Sequence, residues 1–206
     1  KTAAMENLLA KRQWAELSTQ FADEKFEEWP FWQRGAGAFT RGRAYVFTKQ
    51  GEKAEADFQT ALAYTADPRI RTTLLASIGS NREILLNDEE GALEAYRQNF
   101  ETRTSIGGAD EYRSVQRAAL ILAHQQKFDD ALETLHRIDL EKTKGHWLHS
   151  SLLTLGDIYQ LAGKKDKALE VWKKVEGDRE ASKSHRETAE KSIKTQPESD
   201  GIENAK

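Results

Sequence analysis

Apolar and polar residues alternate with a helical period along most of the chain. Between Leu152 and Val175, small or apolar residues recur at intervals of three and four, first from Leu152 and again from Ala168. This spacing places each set on one face of an α-helix. Gly163 falls between the two sets, where the end of a helix favours a residue that adopts the left-handed conformation. The pattern therefore predicts a helical hairpin.

The hairpin pattern recurs along the chain at intervals of 37 to 39 residues. In each second helix a small residue is followed four positions later by a bulky one, and the clearest pairs are Ala54/Phe58, Ala92/Tyr96, Ala131/Leu135 and Ala168/Trp172. The matching small residues of the first helices are Gly42, Gly79, Ala119 and Gly156. Three positions after these stand Tyr45, Arg82, Leu122 and Tyr159. Four hairpins in phase predict an array of helical repeats whose recurring residues pack in the core.

The run from Leu152 to Tyr159, followed by Ala168 and Trp172, resembles the signature of the tetratricopeptide repeat (TPR) family. The resemblance covers residues 2 to 176 and weakens in the second unit, where Arg82 replaces the aromatic residue. The period is longer than the roughly 34 residues of the family, and we place the extra residues between units. The resemblance implies an all-α fold, a right-handed α-solenoid of antiparallel helix hairpins.

The repeats predict a single domain over residues 1–195 with about eleven helices. The expected parts are a leading unit at 2–28, units at 31–66, 68–103, 109–139 and 146–176, a capping helix at 179–194 and a disordered tail at 196–206. In the leading unit, a second helix is expected to run from Trp14 to about Glu28. A flexible break is expected at 105–108.

Composition limits the classes of function. The 31 basic and 34 acidic residues are mixed along the chain, so no basic stripe for nucleic acid is expected. No cysteine is present, which excludes disulfides and thiolate chemistry. No run of about 18 apolar residues predicts membrane insertion. A cysteine-free chain is unsurprising for an exported bacterial protein, so the absence of cysteine mildly favours export, and both export and the cytoplasm stay open. The start at Lys1 suggests a mature form or a piece of a longer protein.

Several side chains have the chemistry of active or metal sites, but their spacing favours neither. His146 and His149 are one helical turn apart, and a metal site needs further ligands. The glycines that begin at Gly35 lack the spacing and the lysine of a phosphate-binding loop. Ser150 could be grouped with His149 and Asp157, but no nucleophile motif surrounds it. We therefore expect no catalysis, no metal and no cofactor.

The resemblance implies that another protein or a peptide binds to the concave face, which is lined by the first helix of each unit. Polar residues there that the packing pattern does not use are the candidate contacts: Arg43, Ser80, Glu83, Arg113, Gln116, Asp157 and Gln160. Relatives that grip a C-terminal carboxylate use Lys, Asn and Arg at inner positions. The comparable positions here hold Phe39, Ala76, Gln116 and Leu153, so that binding mode is not expected.

The sequence favours a non-catalytic interaction scaffold. The alternatives are an accessory domain of a larger bacterial multidomain enzyme and a structural module that forms homo-oligomers. The three aromatic residues Trp29, Phe31 and Trp32 are expected in the core at a junction between units, and an exposed patch for a partner is the alternative.

Overall fold

The computed structural model describes residues 1–101 and 107–195, and every regular element in these two ranges is helical. The α-helices are α1 (Thr2–Ala10), α2 (Trp14–Gln20), α3 (Phe31–Phe47), α4 (Gly51–Ala63), α5 (Pro68–Asn81), α6 (Glu89–Phe100), α7 (Ala109–His124), α8 (Phe128–Leu135), α9 (Gly145–Leu161), α10 (Lys165–Gly177) and α11 (Lys183–Lys194). Within residues 1–101 and 107–195, the predicted all-α fold with about eleven helices is confirmed. The predicted tail at 196–206 and the first half of the predicted break at 105–108 lie outside the described residues.

The chain forms two compact units, Lys1–Ala118 and the part that begins at Ala119, and the boundary falls inside α7. In the first unit α3 packs against α4, α5 packs against α6, and α4 also packs against α5. In the second unit α9 packs against α10, and α10 packs against α11. Both units are therefore built from helix hairpins. None of the helices in the described ranges has the length and apolar character needed to cross a membrane.

Three hairpins pack an aromatic ring of the second helix against a glycine of the first. A Cβ atom added to these glycines would lie far inside van der Waals contact with the ring, and the pairs are Gly42/Phe58 at 2.7 Å, Gly79/Tyr96 at 2.5 Å and Gly156/Trp172 at 2.2 Å. The remaining hairpin has Ala119 and Leu135 at these positions, both fully buried. In this hairpin the first helix carries alanine in place of glycine, and the second helix carries the smaller leucine in place of an aromatic residue.

Arg82 shows why the second unit departs from the aromatic pattern. Its Nη2 and Nε donate to Oε1 of Glu55 at 2.6 and 2.9 Å, and its Nη1 donates to the carbonyl of Gly91 at 3.1 Å. Arg82 also begins a π-helical segment, Arg82–Leu86, that follows α5. The guanidinium therefore links α4 to α6 at the position where other units carry Tyr45, Leu122 or Tyr159.

The predicted helix from Trp14 to about Glu28 is wrong in its second half. Helix α2 ends at Gln20, and a 3₁₀ turn occupies Phe26–Glu28. Arg41 stabilises the loop between them, since its Nη1 donates to the backbone carbonyls of Phe21, Ala22 and Glu24 at distances of 2.7, 3.1 and 2.9 Å. These hydrogen bonds satisfy carbonyls that a continuing helix would have bonded internally.

The C-terminal helix α11 begins at Lys183, later than the predicted 179, because Ser182 caps it. The Oγ of Ser182 accepts a hydrogen bond from the backbone N–H of His185 at 3.2 Å. Ala181 and Ala189 are buried, whereas most other side chains of this segment are exposed. One apolar face against α10 with a charged outer face suits a helix that caps the end of a repeat array.

Candidate functional site

A groove of about 550 Å³ lies in the first unit between α3, α5 and the first part of α7. Five of the seven predicted contact residues line it: Arg43, Ser80, Glu83, Arg113 and Gln116. The helical register places them together, since each belongs to the first helix of a unit or to the π-helical segment that extends α5. We call this cavity the main groove.

Glu83 is engaged by neighbouring side chains at the wall of the main groove. It accepts hydrogen bonds from the hydroxyl of Tyr96 at 2.9 Å and from Nε of Arg117 at 3.1 Å, and it also pairs with Nη2 of Arg117. Burial, followed by the charge of Glu83, raises the pKa of Tyr96, and the hydrogen bonds that Arg117 donates to Glu83 raise the pKa of Arg117. Glu83 therefore holds the wall of the groove in place.

A second polar cluster lies where α5 meets the start of α7. Oδ2 of Asp110 accepts a hydrogen bond from the hydroxyl of Thr73 at 2.8 Å, and Oδ1 accepts one from Arg113 at 3.3 Å. Gln116 is almost fully buried nearby, and Ser80 is half-buried. These contacts connect two first helices and fix the polar side of the main groove.

Arg43 is a basic side chain of the main groove that lies between two aromatic rings. Its guanidinium lies 5.8 Å from the ring centroids of both Trp14 and Phe39. No carboxylate in residues 1–101 or 107–195 forms an ion pair with it. A cation held among aromatic rings, and only partly exposed, interacts strongly with an added carboxylate because little water competes.

The mouth of the main groove carries exposed apolar side chains that the sequence did not single out. Phe47 is 58% exposed and Ile84 is 66% exposed. Phe47 stacks on Trp14 with ring centroids 4.2 Å apart. Each follows a predicted contact on the same helical face by four residues, Phe47 after Arg43 and Ile84 after Ser80. This four-residue spacing could have identified Phe47 and Ile84 from the sequence.

A second cavity, of about 510 Å³, lies between the N-terminal parts of α3 and α5. Trp32 and Ile70 at its edge are 78% and 47% exposed. The expectation that the three aromatic residues near Pro30 are core residues holds for Trp29, which is 5% exposed, and is wrong for Phe31 and Trp32. The ring of Phe31 instead lies 6.0 Å from that of Tyr64, centroid to centroid, and Trp32 lines this cavity. We call this cavity the upper cavity.

Asp157 and Gln160 lie on α9 in the second unit, and neither lines the main groove. Gln160 is exposed, while Asp157 is half-buried. Burial raises the pKa of Asp157 to about 6. Interaction with Trp172 partly opposes this shift, although the buried Nε1 of Trp172 makes no hydrogen bond of normal geometry. Asp157 is thus a charged group held in a poorly solvated position.

Replacing Asp157 with asparagine is expected to stabilise the protein at pH 8 by about 1–2 kcal/mol. The raised pKa means that the folded state binds a proton more tightly than the unfolded state, so the charge destabilises the fold increasingly as the pH rises from the ordinary pKa of 3.8 to about 6, and fully above about pH 6. The gain should nearly vanish at pH 4, where the wild-type carboxyl is protonated in the fold. Urea unfolding at both pH values measures it, with the exposed Asp166→Asn as control. An equal gain at pH 4 would contradict this origin.

The histidines of α9 are engaged at the contact with α11. Nε2 of His149 lies 2.9 Å from Oδ2 of Asp178, so its carboxylate partner is not Asp157. The rings of His146 and His149 lie 4.8 and 5.7 Å from the ring of His185, and burial together with these neighbours lowers the pKa of His185. Across the described parts of the chain, no three His, Asp or Glu side chains are arranged to hold a metal ion.

Comparison with known proteins identifies solved structures that have a similar architecture. No family model and no curated protein matches the chain. Among solved structures, YrrB, described as a TPR protein with an unusual peptide-binding site, matches 92% of this chain and 88% of its own with a TM-score of 0.66 and 18% identity. BtubC (BKLC) from P. vanneervenii matches 91% of this chain and 74% of its own with a TM-score of 0.53 and 14% identity. The TPR-like fold implied by the sequence is confirmed.

Proposed function

We propose that this chain is a non-catalytic interaction scaffold that binds a segment of another protein in the main groove. One observation carries the proposal: Phe47 and Ile84 expose apolar surface at the mouth of a formed cavity that is lined by both apolar and charged side chains. Exposed apolar surface rimmed by polar groups is typical of binding sites. A volume of about 550 Å³ is within the range of ligand pockets. The peptide-binding site described for YrrB supports this use of the fold.

The polar groups of the main groove support binding rather than catalysis. Its carboxylates, Glu83 and Asp110, are both hydrogen-bonded to arginines, and the hydroxyl of Ser77 donates to the backbone carbonyl of Thr73 at 2.7 Å. Among the described residues that line the groove there is no histidine. General base catalysis needs a proton acceptor next to the reacting group, and these groups instead hold the walls of the groove.

Replacing Ile84 with aspartate is expected to weaken peptide binding at least tenfold, because it puts a charge at the apolar contact. The measurement is a selection of displayed random peptides on the whole chain, followed by titration of the selected peptides against wild type and variant. Leu161→Asp is the matched control, since Leu161 is also an exposed apolar residue at the end of a first helix but lies outside the main groove.

Two outcomes would contradict the proposal. One is equal binding of the selected peptides by wild type and Ile84→Asp. The other is concentration-dependent self-association of the wild type in sedimentation that Ile84→Asp abolishes, since the same surface would then serve a homo-oligomer.

A further inference from the structure

Two apolar openings lie on the same pair of helices in the first unit. Trp32 and Ile70 mark the upper cavity, and Phe47 and Ile84 mark the main groove. Fifteen residues of α3 separate Trp32 from Phe47, which corresponds to about 22 Å at the rise of an α-helix. Fourteen residues separate Ile70 from Ile84. The openings therefore have nearly the same spacing along both helices, as two contact points for one elongated ligand would.

Arg43 lies between the openings, one helical turn before Phe47 on the same face of α3. No carboxylate of the described residues pairs with it, and the rings of Trp14 and Phe39 flank its guanidinium. A ligand crossing from one opening to the other would pass this cation about 6 Å before it reaches Phe47. We therefore expect the ligand to carry an anionic group where it passes Arg43.

The charge of the main groove fits a single carboxylate better than a polyanion. Three arginines line it, Arg43, Arg113 and Arg117, together with the two carboxylates of Glu83 and Asp110, so its net charge is +1. Arg117 and Arg113 are already paired with these carboxylates. A phosphate chain would meet repulsion from Glu83 and Asp110, whereas one acidic side chain placed at Arg43 would not require either pair to open.

We propose that the occupant is an extended peptide with two hydrophobic residues six or seven positions apart and an acidic residue between them, about two positions from one of the two. An extended chain advances about 3.3–3.6 Å per residue, so six or seven residues cover the 22 Å between openings and two residues cover the step from Arg43 to Phe47. The inference rests on the proposed function of the main groove, and it adds the sequence requirements of the ligand.

The test uses fluorescein-labelled twelve-residue peptides with a glycine–serine background. Each carries two leucines six positions apart and a glutamate two positions inside one of them, and the pattern is made in both chain directions. On wild type, changing the peptide glutamate to glutamine should weaken the better peptide about 5- to 30-fold, the effect of a charge-assisted hydrogen bond. On Arg43→Gln the same change should alter affinity by less than about twofold, because the partner charge is gone.

Arg186→Gln is the matched control, since it removes an equal charge from an exposed position on α11. It should retain the full preference for glutamate. Bringing the two leucines to within three positions should weaken binding at least tenfold on wild type, because one opening is then left empty.

The inference is overturned if the glutamate preference is absent, if it persists on Arg43→Gln, or if the close spacing of leucines binds as well as the long one. In each case, selected peptides that still lose affinity on Ile84→Asp would leave the proposed function standing. Loss of that Ile84 dependence would instead remove the proposed function itself.

Discussion

Replacing Arg41 with alanine is expected to lower the free energy of unfolding of the first unit by about 3–5 kcal/mol. The side chains of Arg41 and Asp57 are only 11% and 6% exposed, and they form two parallel hydrogen bonds at 2.7 and 2.8 Å. Burial opposes the charge of Arg41, but the hydrogen bonds and the charge of Asp57 outweigh it and raise its pKa. The variant would leave the buried carboxylate of Asp57 unpaired and three loop carbonyls without their donor.

The matched control is Arg43→Ala, on the same helix two residues later. Arg43 has aromatic neighbours but no ion pair in the described residues, so its removal should cost no more than about 1 kcal/mol. Arg41→Lys should recover little of the loss, because an ammonium cannot reproduce the forked donors. Urea unfolding measures all three variants. Similar costs for Arg41→Ala and Arg43→Ala would show that the buried pair does not hold the N-terminal loop.

Replacing Gly156 with leucine is expected to destabilise the second unit by about 3 kcal/mol, the upper part of the range for overpacked cores. A Cβ at this position would lie 2.2 Å from Nε1 and 2.6 Å from Cδ1 of Trp172. Trp172 is fully buried, so any movement of its indole would displace the core side chains around it. Thermal or urea unfolding measures the loss.

Gly177→Ala is the control, because a Cβ there meets no atom within 4 Å, and its effect should stay within about 0.5 kcal/mol. A stricter check introduces at positions 156 and 172 the alanine and leucine that the neighbouring hairpin has at Ala119 and Leu135. Gly156→Ala should cost about 2 kcal/mol beside tryptophan and far less in a Trp172→Leu background, since the smaller residue leaves room. Equal costs in both backgrounds would contradict the proposed contact.

The fold could be predicted from the sequence because its packing is local and repeated. Within one hairpin, an aromatic residue packs on a glycine that precedes it by 16 or 17 positions, as at Gly42, Gly79 and Gly156. Aligning the repeats is therefore enough to identify the contact. The early end of α2, at Gln20, could not be predicted from the repeat pattern. The loop after it is stabilised by Arg41, and a charged residue beside Gly42 is normally solvent-exposed, so nothing in the local pattern indicated a buried pair with Asp57.

The candidate site was partly predictable for the same reason. Helical register is enough to bring residues such as Arg43 and Gln116 to one groove, and their role in binding remains a prediction. Register does not tell which polar groups are already engaged, as Glu83 is by Arg117. It also does not separate exposed from buried aromatic residues, so Trp32 was expected in the core although it is exposed.

The most direct test of peptide binding in the main groove uses the indole N–H signals of the five tryptophans in a nitrogen-15 NMR titration. Trp14 stacks on Phe47 beside the groove and Trp32 lies at the upper cavity, whereas Trp29 and Trp172 are buried. A selected peptide should shift the signal of Trp14 in a saturable manner and leave those of Trp29 and Trp172 nearly unchanged, and a peptide that spans both openings should also shift Trp32. Saturable shifts of Trp147 alone, on α9, would contradict the account.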